Sequence, residues 1–189
     1  MKANTALFTG RFQPPSLAHV ATVKTILSDW PSLVIGVSSP DNSTDYDPRW
    51  QPFLDASRGK FTDKSAMFTP HEVKEMWDAW ISAAGLENRV RCELIPRPHL
   101  RAFTRKYPSC NFDMVYPAAH KDDSEGDKQR HLLFPVLLER EIFLVEPSFR
   151  QHNSETRLLI REGKTTWKQN MPDGAYDVFI RLNGPQRMT

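Results

Sequence analysis

The chain of 189 residues carries 25 Lys+Arg against 23 Asp+Glu, a formal charge of +2, with 39% hydrophobic and 25% charged residues, which at roughly 150 residues per domain is one domain, 1–189, large enough for a continuous core. Near-balanced charge with no basic run or basic-aromatic stripe gives no footprint for nucleic acid, and no apolar run approaches the roughly 20 residues that span a bilayer. The start, Met1 to Phe8, meets Gly10-Arg11 before any apolar signal core forms, so the sequence predicts a cytoplasmic protein with Cys92 and Cys110 reduced.

Thr5 to Thr9 is a short apolar run that ends at Gly10 and reads as the first strand. From Ala18 a helical period sets in, with Val20, Val23, Leu27 and Trp30 on one face, Thr22, Lys24, Thr25 and Asp29 off it, and Pro31 as the stop. Leu33 to Val37 is apolar on both faces, as a central parallel strand is. Ser38 to Met67 has no clear period and reads as a mobile polar loop. Thr69 as cap, Pro70 at the first helical position and Glu72 three residues after the cap mark the next helix start. Its buried stripe is Val73, Met76, Trp77, Trp80, Ile81 and Ala84, and Gly85 ends it. Val90 to Ile95, Phe112 to Tyr116 and Glu141 to Val145 supply further strands, with helical segments at 99–107 and 124–140 between them. Strands alternating with helices predict an α/β fold: a Rossmann-like doubly wound sheet of about five parallel strands with helices on both faces. Such a sheet binds its ligand beyond the C-terminal strand ends, at the point where the strand order reverses.

The turn leaving the first strand, Gly10-Arg11-Phe12-Gln13-Pro14-Pro15-Ser16-Leu17-Ala18-His19, falls at that point. The chain has 15 Pro and only 8 Gly, and the glycines are too widely spaced for any Gly-rich phosphate loop, so anions must be held by helix ends and side chains. Gly10 allows a close backbone approach to a ligand, and Arg11 offers a fork of donors for a phosphate. Pro14 and Pro15 stiffen the turn, Ser16 stands where a cap belongs, and His19 falls in the first helical turn, able to donate to an anionic oxygen. A lone Ser/His pair at a helix start reads as a cap and a satisfied histidine; the whole string reads otherwise. It resembles the signature of the nucleotidyltransferase superfamily with the His-x-Gly-His motif, in the form Gly-Arg-Phe-Gln-Pro-Phe-His-x-Gly-His of nicotinamide mononucleotide (NMN) adenylyltransferases. Gly10, Arg11, Phe12, Gln13, Pro14 and His19 match, while Ser16 replaces the first histidine and Ala18 the glycine.

The resemblance implies a second phosphate site of the form Ile-Ser-x-Thr-x-x-Arg after the last strand. Anchoring on Arg157 puts Ser154 at the threonine position and His152 at the serine position. A Ser-headed helix from Ser154 to Gly163 also offers free N–H groups and a partial positive charge to an anion, and Arg157 adds a permanent charge. The same residues describe an ordinary capped surface helix equally well. Phe68-Thr69-Pro70-His71-Glu72, the Trp167 turn before Pro172, and the tail Val178 to Gly184 are similar to landmarks of the archaeal-type NMN adenylyltransferases.

What the resemblance implies is transfer of AMP from ATP to a small phosphorylated acceptor such as NMN, with Mg²⁺ arriving on ATP and a possible homo-oligomer. His19, Arg11 and Ser16 would be catalytic, and Gly10, Phe12, Gln13, Ser154 and Arg157 would bind the nucleotide. His120, Lys121 and Asp122, after the fourth strand, would contact the acceptor. His71, His99 and His131 have no metal spacing, and Arg49, Trp50, Arg58 and Lys60 of the long loop close over the triphosphate, bind a partner, or by default form a loose surface loop. Two alternatives stay open: another acceptor, such as a phosphopantetheine or a polyol phosphate, with ATP or CTP as donor, and a nucleotide-binding module impaired in turnover by Ser16, Ala18 and His152.

Overall fold

The computed structural model describes residues 3–39, 45–56, 67–118, 125–149 and 153–188; for residues 53, 56, 125–130, 153 and 154 it describes the backbone alone. Its centre is a parallel sheet of β1 (Thr5–Gly10), β2 (Ser32–Ser38), β3 (Val90–Ile95), β4 (Phe112–Pro117) and β5 (Ile142–Val145), in the order β3-β2-β1-β4-β5. All four pairings are parallel. Leu7 in β1 lies level with Val34 of β2 and Met114 of β4, and all three side chains are fully buried. These strands are apolar on both faces because helices cover both faces. The edge strand β3 is instead guarded by Arg91 and Glu93, paired at 2.7 Å, charges that discourage further strand pairing. Cys92 is buried beside them and Cys110 is exposed, both free.

The helices are α1 (Leu17–Asp29), α2 (Gln51–Ala56), α3 (Pro70–Ala83), α4 (Arg101–Lys106), α5 (Glu125–Leu137), α6 (Asn153–Arg161), α7 (Ala175–Arg181) and α8 (Gly184–Arg187). No helix among the described residues is long and apolar enough to cross a membrane. In α1 the predicted Val20 and Val23 are buried, as is Trp30 at its end, Leu27 is partly buried, and the buried face widens to Ala21, Thr22 and Ile26. Thr22 is buried because its hydroxyl donates to the Ala18 carbonyl at 3.1 Å, which satisfies it inside its own helix. The start of α3 is as expected: the Glu72 N–H donates to Thr69 Oγ1 at 3.3 Å and the Thr69 N–H to a Glu72 carboxylate oxygen at 2.7 Å. Val73, Met76, Trp77, Trp80 and Ile81 are buried. Ala84 is exposed instead, because it follows the last full turn before Gly85, which takes a φ of +64°.

The expected mobile loop is in its described part a packed element. Asp47 caps a 3-10 turn, Pro48–Trp50, by accepting the Arg49 N–H at 2.9 Å, and α2 follows directly. Trp50 is 3% exposed, with its ring 5.3 Å from Phe134 of α5 and 6.1 Å from His99. It therefore anchors this segment in the core and does not close over a ligand, while Arg58 and Lys60 lie outside the described residues. At the opposite end of the sheet Asp113 accepts the Ala3 N–H at 2.8 Å and the Trp30 indole N–H at 2.9 Å. Arg140, also buried, donates to the carbonyls of Tyr107 and Phe112. These two charges at the N-terminal strand ends are thus spent inside the protein, and in such a sheet a ligand binds beyond the opposite, C-terminal ends.

Candidate active site at the β1–α1 turn

The order of the sheet reverses between β1 and β4, and there the Thr9 and Tyr116 hydroxyls hydrogen-bond across the two strands. The chain leaves β1 at Gly10 and turns over this crevice into α1. A Cβ on Gly10 would lie 2.8 Å from Cζ of Phe12, so the glycine makes room for Phe12 and not for a ligand, the role its sequence position suggests. Phe12 takes a left-handed φ of +48°, a strain of about 1–2 kcal/mol for a residue with a side chain. Its ring is 5% exposed and packs edge-on against Phe8 at 5.2 Å, His19 at 5.1 Å and Trp77 at 5.3 Å. Burial of an aromatic ring in such contacts offsets that strain.

Gln13 is committed inside the protein as well. Its side-chain amide donates to the Phe68 carbonyl at 2.8 Å and accepts the Phe68 N–H at 2.9 Å. The expected nucleotide contacts from Phe12 and Gln13 therefore do not come from their side chains, which hold the turn in shape. The Gln13–Pro14 peptide is cis. Arg11, half-buried, is the cation of the turn.

Ser16 caps α1, and His19 occupies the place that Glu holds in an ordinary capping box. The Ser16 backbone N–H donates to His19 Nδ1 at 3.1 Å, and the Ser16 hydroxyl lies 3.0 Å from the same nitrogen. With Nδ1 accepting, the ring proton sits on Nε2. Burial lowers the His19 pKa to about 4, because the charged form loses its water between Phe12 and Trp77. The ring is thus a neutral donor through Nε2–H at physiological pH. Ser16 is 2% exposed and turned onto His19, so the hydroxyl supports the imidazole and is not presented to a phosphate.

On the second candidate site, Thr156 is 2% exposed and accepts from the Asn170 amide at 3.2 Å, which pins the first turn of α6. Beside it, Nε of Arg157 is buried with no acceptor among the described residues, an arrangement that costs about 1–3 kcal/mol unless an acceptor completes it. β5, the strand before α6 in the chain, lies two strand positions from β1, about 10 Å at the usual spacing. The Ser154 side chain, His152, and the acceptor candidates His120, Lys121 and Asp122 lie outside the described residues. Phe68 and Trp77 are parts of the turn's framework that sequence reasoning missed. An apolar residue, whether in a helical stripe like Trp77 or just before a helix like Phe68, gives no sign of which distant loop it packs against.

No family model matches the chain. It is 24% identical over 187 residues, 97% of this chain and 94% of the relative, to a nicotinamide-nucleotide adenylyltransferase of Sulfurisphaera tokodaii. Among solved structures it resembles a bifunctional NMN adenylyltransferase/ADP ribose pyrophosphatase of Francisella tularensis complexed with AMP and a Mn ion, at a TM-score of 0.64 and 16% identity, covering 100% of this chain and 51% of that one. It also resembles a Plasmodium falciparum nicotinic acid mononucleotide adenylyltransferase complexed with NaAD, at a TM-score of 0.58 and 14% identity, covering 97% of this chain and 98% of that one. The chain spans about half of the Francisella protein and nearly all of the other two. Strand order, the position of the Gly10–His19 turn at the reversal, and likeness along almost the whole chain agree, and they give the chain the fold of these adenylyltransferases.

Proposed function

We propose that the protein is a mononucleotide adenylyltransferase that transfers AMP from ATP to nicotinamide or nicotinate mononucleotide, with NMN the first acceptor to test. The observation that carries this reading is His19: a neutral imidazole whose Nδ1 is already taken by Ser16 and whose remaining N–H is a donor at the β1 end of the crevice. The buried Nε of Arg157, which has no acceptor among the described residues, supports a second anion contact. An acceptor phosphate is largely dianionic at neutral pH, with a second pKa near 6, so no general base is needed. One of its oxygens attacks the α-phosphorus of ATP. The bond from that phosphorus to the oxygen bridging to the β-phosphate breaks, and pyrophosphate leaves with the electron pair.

The protein's share is positioning and charge stabilisation, of which positioning alone is worth roughly 7–11 kcal/mol in well-oriented reactions. In this reading His19 Nε2–H donates to an α- or β-phosphate oxygen, and Arg11 and Arg157 balance the triphosphate. Gly10, Phe12 and Gln13 shape the turn that presents them. Mg²⁺ enters as MgATP; among the described residues no cluster of three or more His, Cys, Asp or Glu side chains forms a cage, which fits an ion carried mainly by phosphate oxygens. Incubation with MgATP and either mononucleotide should yield the dinucleotide and pyrophosphate in equal amounts, and absence of both products with both acceptors would sink the proposal. A second reading, a nucleotide-binding module with impaired turnover, is favoured by one observation: the Ser16 hydroxyl is buried against His19, so the turn presents one imidazole where the superfamily motif has two. Binding of MgATP without pyrophosphate release on any acceptor would select it.

A further inference from the structure

Gln13 sits between Arg11 and Ser16, and its amide bonds on both sides to the backbone of Phe68. The geometry of the nucleotide turn therefore depends on where Phe68 stands. Its backbone is held by Gln13, but its ring, 1% exposed, is held by the last two helices. Phe179 of α7 packs on it with ring centroids 5.6 Å apart, and the guanidinium of Arg187 in α8 lies 4.5 Å over its face. The same guanidinium makes a two-pronged pair with Glu72, at 2.8 and 3.1 Å, and Glu72 in turn accepts the N–H of Thr69, the residue after Phe68.

The tail is shaped to deliver this arginine. Asn183 turns the chain at a left-handed φ of +55°, and a Cβ on Gly184 would lie 2.4 Å from the Phe179 ring, so only glycine lets α8 fold back this closely. Arg187 holds the Glu72 carboxyl down to a pKa of about 2, so the pair is ionised at neutral pH. A cation over an aromatic face combined with a bidentate carboxylate fixes a side chain in both direction and distance.

We propose that Arg187 is a positioning residue for the nucleotide turn: by covering Phe68 and gripping Glu72 it fixes the peptide to which Gln13 ties the turn carrying Arg11, Ser16 and His19. The inference rests on the adenylyl-transfer reading of that turn. Turnover of MgATP with NMN or nicotinate mononucleotide is compared in the wild type, Arg187→Ala, Gln13→Ala, the double variant and Arg181→Ala. The first two should each lower kcat at least about tenfold, within what sub-ångström misplacement does to a positioned reaction. The double variant should be no worse than the poorer single, because both act through one peptide. Arg181→Ala removes an ion pair to Glu75 between α7 and α3 without touching Phe68 and should leave kcat at the wild-type value.

Wild-type kcat in Arg187→Ala, multiplying losses in the double variant, or an equal loss in Arg181→Ala would each overturn the proposal. If Arg187→Ala does not fold, Arg187→Lys, which keeps the charge without the fork, is read the same way. The side-chain amide resonances of Gln13 report the coupling independently of turnover. They should move toward those of a free amide in Arg187→Ala, and unmoved resonances overturn the positioning role. Moved resonances in a protein inactive on every acceptor uphold the positioning and reject the adenylyl-transfer reading instead.

Discussion

The imidazole of His19 gives Nδ1 to Ser16 and, in the proposed reading, offers Nε2–H to a phosphate oxygen. Replacing it by alanine removes the donor but leaves the Phe12–Trp77 contact, so turnover should fall by two to three orders of magnitude, about 2.7–4 kcal/mol, with a small change in thermal stability. Steady-state rates and a melting curve separate the two effects. The depressed pKa has a signed consequence. Between pH 6.5 and about 4 the unfolded chain takes up a proton on His19 that the folded chain refuses. Stability therefore falls with pH across that window, by on the order of 3 kcal/mol in full, and is unaffected by this group above it. Urea denaturation of the wild type and His19→Gln at pH 7 and pH 4.5 should show the larger drop in the wild type. Equal drops would mean that the ring titrates normally. Gly10→Ala should destabilise by about 1–3 kcal/mol, since the added Cβ meets the Phe12 ring at 2.8 Å in a filled site. His19, in contact with that ring, should lose activity with it, which rates at a temperature well below melting can check.

Among the elements, α6 and the segment 45–56 carry separate tests. Arg157→Ala should weaken MgATP binding, measured by calorimetry, by about tenfold or more, because charge-assisted bonds to a phosphate contribute roughly 1.5–3 kcal/mol; unchanged affinity would make α6 an ordinary surface helix. Trp50→Ala should cost about 3–5 kcal/mol in chemical denaturation, which a loose loop would not. The strands and the start of α3 are legible in the sequence because their signals are local. Runs of apolar residues bounded by turn formers, and the Thr69-Pro70-Glu72 triplet, act over one turn or one strand. Trp50 is not legible, since a single aromatic in a polar stretch has no period, and its partners His99 and Phe134 are far along the chain. Thr22 misleads for a related reason: its polarity argues for solvent, whereas its own helix supplies the acceptor.

At the scale of the whole molecule, the sheet order leaves one crevice, with Asp113 and Arg140 at the opposite end. The sequence by itself determined the α/β class, the bounds of the five strands, and the turn of Arg11, Ser16 and His19 at the end of the first strand, because each is written in residues within about ten positions of one another. It could not assign the labour within that turn. That Gly10 makes room for Phe12, that Gln13 grips Phe68 across 55 positions, and that Arg187 reaches Glu72 across 115 depends on which surfaces meet once the helices pack. Only the tertiary structure brings those surfaces together, since the contacts are between groups whose local signals, an apolar stripe and a charged helix end, fit many partners equally well.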